Sequence, residues 1–268
     1  MDNAASEKSI IALDRWLQTP AGAYVRAWEQ ARLDALTADI FGFNAVQIGV
    51  PQIDALAASR MPNKWQAATR LSHQDELRLA SGSRQIAVAL DFEELPFASQ
   101  SVDLIVLPHV LEFAAEPHQV LREVERVLIP EGQLIICGFN PASLWGARQG
   151  LGRIVRSDFL PSAGEFISMP RLKDWLKLLN LGETRSHFGC YAPPCRTSVW
   201  LERFGMLETA GERWWPYLGA VYMVHAIKRV KGMRIIGPAW SRRAQKSVQA
   251  VPATNRKHRT IQEDEHAA

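Results

Sequence analysis

A strand, a helix and a second strand follow one another between residues 102 and 137, and this unit constrains the fold more than any other feature. Residues 102–107 (VDLIVL) and 133–137 (QLIIC) are short apolar runs of the kind that form buried strands. Between them, Pro117 begins a helix whose apolar side chains recur at helical spacing, and Pro130 and Gly132 end it. Two strands joined by a helix pair in parallel. The sequence therefore predicts an α/β fold in which helices cover both faces of a mainly parallel sheet.

Further elements extend this unit in both directions. Apolar runs predict strands at 43–49, 86–90 and 219–227, with a weaker signal at 65–71. Thr19 and Pro20 are typical of an N-cap and a first helical position, and the apolar spacing at 169–179 predicts another helix. We expect an N-terminal helical segment at 1–40, an α/β domain at 41–237 and a disordered basic tail at 238–268.

The distribution of charge narrows the range of partners. The chain has 31 Lys and Arg against 28 Asp and Glu; six of the basic and three of the acidic residues follow position 238, which leaves 25 of each in the body. A neutral body argues against a broad nucleic-acid-binding face. The tail favours a solubilising role, with loose attraction to RNA or an anionic membrane surface as the alternative. Neither a signal peptide nor a stretch of about 20 apolar residues is present, so we expect a cytoplasmic protein without a transmembrane segment.

Polar or turn-forming residues follow the predicted strands. Gln47 and Gly49 end the first strand, Asp91 follows 86–90, and Pro108 and His109 follow 102–107. Parallel sheets bind ligands where the carboxyl ends of their strands meet, at the point where the strand order reverses. Together with Asn140, which comes after 133–137, these five residues predict a ligand site at the carboxyl edge of the sheet. The three cysteines, at positions 137, 190 and 195, lack the spacing of metal ligands, so we expect no metal.

Residues 91–141 carry several short motifs in a fixed order. They are an acid four residues before Leu95-Pro96-Phe97, then Ser101-Val102-Asp103, Glu123 with Arg126-Val127-Leu128, and Pro130-Glu131-Gly132. Together they resemble the class I S-adenosylmethionine-dependent methyltransferases, and among these the methyltransferase type 11 group. The resemblance implies a three-layer, Rossmann-like α/β fold with seven strands, the last of them antiparallel. It also implies S-adenosylmethionine as the cofactor.

The same resemblance implies which residues hold the adenine. It places Asp91 beside this base, where a carboxylate can accept a hydrogen bond from the exocyclic amine, and Phe92 next to the ring. The alternative role of Asp91 is to cap the turn that follows. Pro108, at the end of the fourth strand, is also expected among the cofactor-binding residues because of its place at the carboxyl edge of the sheet.

The first strand end departs from the family pattern, which is an acid followed by glycines at every second position. Gln47 stands in place of the acid, and Gly49 is the one glycine that remains, since Pro51 and Ile53 replace the other two. A glutamine can still hydrogen-bond the amino end of the cofactor, more weakly than a carboxylate would. We therefore expect Gln47 and Gly49 to contact the methionine part of the cofactor.

His109 is the one candidate catalytic base. The family often places groups that face the transferred methyl after the fourth strand, and an imidazole there can accept a proton near neutral pH. Glu112, one helical turn further on, is close enough to orient it. The alternative is a histidine that caps the strand end or packs under Phe113.

Aromatic residues occupy the segments in which the family builds its substrate pocket. They are Trp214-Trp215-Pro216-Tyr217, Trp145, Phe166, Phe188 and Tyr191. They predict either a pocket for an apolar or planar substrate or a well-filled core.

The expected function is the transfer of a methyl group from S-adenosylmethionine to a small molecule. The neutral body and the lack of an added RNA-binding module favour this class of acceptor, and catalysis would consist mainly of alignment in a dry pocket. The altered glycine loop motivates an alternative: a catalytically inactive methyltransferase-fold protein that acts as a binding or regulatory partner.

Overall fold

The protein contains one seven-stranded sheet, described by a computed structural model that covers residues 12–68, 86–89, 92–155, 159–160, 164–195 and 197–229. The strands are β1 (Asn44–Ile48), β2 (Asn63–Ala68), β3 (Ile86–Ala89), β4 (Val102–Pro108), β5 (Leu128–Phe139), β6 (Leu181–Gly189) and β7 (Val221–Lys228). Their order across the sheet is β3-β2-β1-β4-β5-β7-β6. The pairs from β3 to β5 are parallel, whereas β7 is antiparallel to both β5 and β6.

Helices cover both faces of this sheet. After a helical segment at 12–17, they are α1 (Pro20–Thr37), α2 (Pro117–Val127), α3 (Leu144–Val155), α4 (Met169–Leu178), α5 (Ser198–Arg203) and α6 (Met206–Trp214). This arrangement confirms the predicted three-layer α/β fold. It also confirms β1 and β4 as neighbours, with Val46 opposite Ile105.

Alternation along the strands divides the core into two clusters, one on each face. On the first face, Ile105 and Leu107 pack with the apolar sides of α2 and α4. On the second face, Leu104 and Val106 pack with α1, the helical segment at 12–17 and apolar side chains from residues 50–61. Because successive strand residues point to opposite faces, one strand such as β4 contributes to both clusters.

Local signals explain where several elements begin. Thr19 caps α1, since its hydroxyl oxygen accepts a hydrogen bond from the Gly22 N–H, and Pro20 takes the first helical position as predicted. Glu123 and Arg126 on α2 form a 2.7 Å ion pair, and Arg126 also donates hydrogen bonds to the carbonyl oxygens of Leu95 and Phe97. This pair therefore anchors the loop that leads into β4.

The connection between β1 and β2 contains turns and no helix, although the two strands are parallel. Parallel strands are usually joined through a helix, and in doubly wound folds the first such helix follows the ligand-binding loop. Here residues 49–62 lie across the second face as an irregular segment, which we call the β1–β2 loop. Its apolar residues Val50, Ile53 and Leu56 are buried. The layer that a helix would complete is therefore completed by this loop.

The chain divides into two compact units, Met1–Val230 and Lys231–Ala268. The sheet and its helices belong to the first unit, and the second lies outside the described residues, as does the tail expected at 238–268. No helix within the described ranges is long and apolar enough to cross a membrane.

Candidate functional site at the carboxyl edge of the sheet

The strand order reverses between β1 and β4, which places the expected binding crevice at their carboxyl ends. Gly49 directly follows β1 and has a φ of +97°, a backbone conformation that glycine adopts without strain. A Cβ atom on Gly49 would lie 3.3 Å from the carbonyl oxygen of Pro108. The structure therefore brings together Gly49 and Pro108, two of the predicted cofactor-binding residues.

Gln47 is fully buried, and its side chain binds the β1–β2 loop. The amide Nε2 donates hydrogen bonds to the carbonyl oxygens of Val50, at 2.9 Å, and Ile53, at 2.6 Å. The amide Oε1 accepts a hydrogen bond from the Ala55 N–H at 2.9 Å. Both amide hydrogens are thus in use inside the protein. An amino group donates hydrogen bonds, so the cofactor would need Oε1 as its acceptor, and this atom is buried and already accepts from the Ala55 N–H. The expectation that Gln47 binds the amino end of a cofactor therefore disagrees with this geometry.

The space beside Gly49 is filled by the protein itself. A Cβ atom on Gly49 would lie 2.5 Å from Cγ2 of Val110, which is buried just after β4. A branched side chain therefore occupies the position that the missing Cβ leaves open. Gly49 is required here by internal packing, whatever else it contacts.

The adenine side of the predicted site is described only in part. Phe92 is buried and packs in the first core cluster with residues of β4 and α2, so its ring is part of the core. Asp91, the predicted partner of the adenine amine, lies outside the described residues.

His109 lies between two buried carboxylates. Its Nδ1 donates to Oε2 of Glu112 at 2.9 Å, which confirms the predicted contact between these two residues. Its Nε2 is 2.9 Å from Oε1 of Glu29, a residue of α1, but this contact is misaligned for a hydrogen bond. The Phe139 N–H donates a hydrogen bond to the other oxygen of Glu112. The centroids of the Phe139 ring and the His109 imidazole are 4.3 Å apart. His109 therefore lies where three elements meet. Charged contacts join it to Glu29 of α1 and to Glu112 after β4, and a ring contact joins it to Phe139 of β5.

This environment determines the protonation of His109. Burial alone would lower the pKa of the imidazole, but the carboxylates of Glu29 and Glu112 outweigh burial and raise the pKa to about 10. Burial also raises the pKa of the Glu112 carboxyl, against the opposing effect of His109. His109 is consequently an imidazolium at neutral pH. Its side chain is inaccessible to solvent, and its φ of 52° is a left-handed conformation that is rare outside glycine.

The prediction that His109 acts as a general base disagrees with these contacts. A base must be unprotonated and must reach the proton that it removes. His109 is protonated, and both of its ring nitrogens face carboxylates of the same chain. The second interpretation of the sequence, a histidine packed at the strand end, agrees with the geometry.

Glu29 is the residue of this cluster that the sequence interpretation missed. It lies four positions after Val25 and four before Leu33 on α1, and all three side chains are fully buried. The sequence does contain a signal for this residue, since the spacing places its carboxylate on the apolar face of the helix. A charge on a buried face needs a partner, which points to a contact with another element. Neither of its oxygens accepts a hydrogen bond from the described residues.

The predicted aromatic residues separate into three environments. Trp145 is buried in the second core cluster, and its indole N–H donates to the Ala192 carbonyl oxygen at 2.7 Å. Phe188, Tyr191 and Tyr217 line a cavity of about 380 Å³ at the carboxyl end of β6, with Arg32, Ser186, His187, Glu212 and Pro216. Trp214 and Trp215 are exposed. Part of the predicted group therefore forms a small-molecule-sized pocket, and part belongs to the core.

Within the part of the chain that the structure describes, no three side chains of His, Cys, Asp or Glu come together in a way that could hold a metal ion. Burial raises the pKa of the thiols of Cys137 and Cys190 well above the usual range, so both remain neutral.

The residues at the β1–β4 crevice do not fit the methionine end of S-adenosylmethionine in this conformation. Val110 fills the space beside Gly49, the buried Oε1 of Gln47 accepts from the Ala55 N–H, and the β1–β2 loop provides no helix N-terminus for a carboxylate. Loop 49–62 would have to move away from Gln47 to open this end of the crevice.

Comparisons with known proteins agree with the fold. A family model described as a methyltransferase domain matches residues 57–136. YafS, an uncharacterized protein of Escherichia coli (strain K12), is 30% identical over 95% of this chain and 97% of its own length. Malonyl-[acyl-carrier protein] O-methyltransferase of Laribacter hongkongensis (strain HLHK9) is 28% identical over 54% of this chain and 48% of its own length.

The solved structures extend this agreement to the architecture. A solved complex between the Trm112 methyltransferase activator of Haloferax volcanii and a methyltransferase contains a chain with a TM-score of 0.57 and 18% identity. The match covers 81% of this chain and 98% of that one. The order of strands, the family model and the full-length relative lead to one conclusion. The chain belongs to the class I S-adenosylmethionine-dependent methyltransferase family.

Proposed function

We propose that the protein transfers a methyl group from S-adenosylmethionine to a small-molecule acceptor. The observation that carries this proposal is the strand order, which reverses between β1 and β4, in a chain that belongs to this family. The neutral body supports a small acceptor over a nucleic acid. We expect the β1–β2 loop to open before the cofactor binds.

The protein's own residues contribute a rigid and dry edge to this site. His109, Glu112 and Glu29 exclude water from the end of β4, since their side chains are at most 1% exposed. They hold α1 against the strand end through charge, and burial keeps all three out of contact with solvent. The contribution of this edge to catalysis is the alignment of the bound groups.

Asp91 remains our proposed partner for the adenine amine. Asp91→Asn should weaken binding of S-adenosylmethionine about tenfold, because a charge-assisted hydrogen bond becomes a neutral one. Glu94→Gln is the matched control, since Glu94 is an exposed acid three residues further on. Equal affinities of both variants and the wild type would contradict the assignment.

Titration calorimetry and thermal melting with S-adenosylmethionine test the function itself. We expect measurable heat and a rise in the melting temperature at millimolar cofactor. The acceptor class is tested by incubating the protein with methyl-labelled cofactor and a cell extract, followed by separation by size. Label in the small-molecule fraction supports the proposal, and label confined to protein or RNA contradicts it.

A second candidate function is favoured by the closed crevice. A protein whose cofactor space is filled by Val110 and by a loop tied to Gln47 could serve as a non-catalytic binding partner on a methyltransferase fold. Absence of both heat and thermal shift at millimolar cofactor would exclude the enzyme and favour this candidate.

A further inference from the structure

Seven large apolar side chains are exposed within a short stretch of the chain, and we call them the aromatic surface. They are Val199, Trp200, Met206, Trp214, Trp215, Tyr217 and Leu218. Their exposed fractions range from 48% for Leu218 to 82% for Met206. Single exposed apolar residues are common, whereas several within one segment are typical of interaction sites.

The aromatic surface lies at the carboxyl edge of the sheet. It belongs to α5, α6 and the residues after them, which connect the carboxyl end of β6 to the beginning of β7. The inner side of α6 is fixed: Gly211 is buried, and a Cβ atom there would lie 2.2 Å from the ring of Tyr191. The segment is therefore anchored to the domain by one side and presents its other side outward.

The two acidic side chains of α6 are both engaged within the protein, Glu208 in a half-buried site and Glu212 at the surface. Glu208 accepts hydrogen bonds from the Tyr24 hydroxyl and from the N–H groups of Cys190 and Tyr191. Glu212 forms an ion pair with Arg32 of α1. Neither carboxylate is left as an uncompensated outward charge.

The basic side chains of the same segment point outward. Arg203 and Arg213 are exposed, and neither forms an ion pair with any described residue. The guanidinium of Arg203 lies over the Trp200 ring, 5.4 Å from its centroid. Among the described side chains of this segment, the exposed charges without an ion-pair partner are therefore those of Arg203 and Arg213.

We propose that the aromatic surface binds the headgroup layer of an anionic lipid bilayer. Tryptophan and tyrosine combine an apolar ring with a polar N–H or O–H, and they concentrate at the boundary between lipid and water. Arginines beside them are attracted to anionic headgroups. A bilayer presents both kinds of contact at once. The protein would lie on the membrane, and this property is independent of the proposed methyl transfer.

Tryptophan fluorescence with brominated lipids tests the proposal on the full chain. The probes are vesicles of phosphatidylcholine alone and vesicles in which a quarter of the lipid is phosphatidylglycerol. We expect the protein to sediment with the anionic vesicles and its fluorescence to be quenched when their acyl chains carry bromine. Absence of both effects at low salt would overturn the proposal.

Variants assign the contact to this surface. The quenching should be abolished in a triple variant with Trp200→Ser, Trp214→Ser and Trp215→Ser. Binding to anionic vesicles should weaken on the order of tenfold or more in a double variant with Arg203→Gln and Arg213→Gln. Phe41→Ser/Phe43→Ser is the matched control, because these exposed aromatic residues precede β1 at the opposite edge of the sheet. Circular dichroism establishes that each variant is folded.

Two results would overturn the assignment. Quenching that persists in the triple tryptophan variant would place the membrane contact elsewhere in the chain, for example in the basic tail. A wild-type dimer in sedimentation velocity that the triple variant converts to a monomer, without vesicle binding, would identify the aromatic surface as a contact between copies of the chain.

Discussion

At the scale of single residues, Gln47 stabilises a segment that has no regular structure of its own. Its three hydrogen bonds satisfy two carbonyl oxygens and one N–H of the β1–β2 loop in a site without solvent. The loop can be irregular and buried at the same time because Gln47 supplies these partners.

Gln47→Ala should lower the free energy of unfolding by about 2–4 kcal/mol, because buried backbone groups lose their partners. Urea denaturation measures this loss. Gln47→Glu should destabilise more at pH 8 than at pH 5, since its ionised carboxylate would face the carbonyl oxygens of Val50 and Ile53. Gln18→Ala, at an exposed position, is the control and should leave stability within about 0.5 kcal/mol. A similarly small effect of Gln47→Ala would contradict the role in the loop.

The protonation of His109 can be observed directly. In an NMR titration, the His109 ring should keep the chemical shift of an imidazolium from pH 6 to pH 8, because the neighbouring carboxylates raise its pKa to about 10. The rings of His187 and His225 should titrate at lower pH than an ordinary histidine, since burial lowers their pKa values. Glu29→Gln should lower the pKa of His109. A His109 midpoint below pH 7 in the wild type would contradict the charged cluster.

How far the sequence predicts such residues depends on where their partners come from. The contact between His109 and Glu112 follows from a spacing of three residues, so it was predictable. The contact with Glu29 joins positions 80 residues apart and depends on how α1 crosses the sheet. The role of Gln47 depends on the path of the loop after it, which no periodic pattern specifies.

At the scale of elements, the pattern of apolar residues along the sequence determined which strands could be predicted. β1, β4 and the core of β5 are buried on both faces and consist mainly of apolar residues. β6 was missed because it is an edge strand, and its central residues Glu183, Thr184 and Arg185 are exposed. α3, α5 and α6 were also missed. Their sequences contain glycine or are short, and tertiary contacts hold them in place.

The junction between β6 and α1 depends on a glycine. A Cβ atom on Gly189 would lie 2.0 Å from the indole of Trp28, which is a rigid ring of α1. Gly189→Ala should therefore lower the free energy of unfolding by about 1–3 kcal/mol through overpacking.

Gly150→Ala is the matched control for this substitution. Gly150 lies on the exposed side of α3 with no atom near its missing Cβ. It should raise stability by about 0.5–1 kcal/mol, since alanine favours the helix. Thermal melting of the two variants measures the contrast, and a loss of stability at Gly150 similar to that at Gly189 would contradict the packing argument.

At the scale of the whole molecule, the buried histidine makes stability depend on pH. The pKa of His109 is higher in the folded protein than in the unfolded chain, so its stabilisation is complete below about pH 6.5 and is lost as the pH rises toward 10. His187 and His225 have lowered pKa values and act in the opposite direction, below pH 6.5.

Urea denaturation at several pH values should therefore show a stability that falls above pH 7. Between pH 7 and pH 8.5, the free energy of unfolding should fall by up to about 1.4 kcal/mol per pH unit. Glu29→Gln should flatten this dependence, because it removes one of the carboxylates that raise the pKa of His109. A wild-type stability that is constant or rises over this range would contradict the prediction.

The place of β7 in the sheet has a consequence for how the protein is made. β7 is the last strand along the described chain, yet it lies between β5 and β6. During synthesis, the outer side of β5 therefore stays unpaired until about 90 further residues have been added, which takes roughly 5 to 20 seconds at ordinary rates of translation. Throughout this interval the nascent chain exposes the apolar edge of a central strand, which is a template for aggregation. Chains that stop before residue 221 should accumulate as insoluble protein, and their rescue in the cell should depend on chaperones.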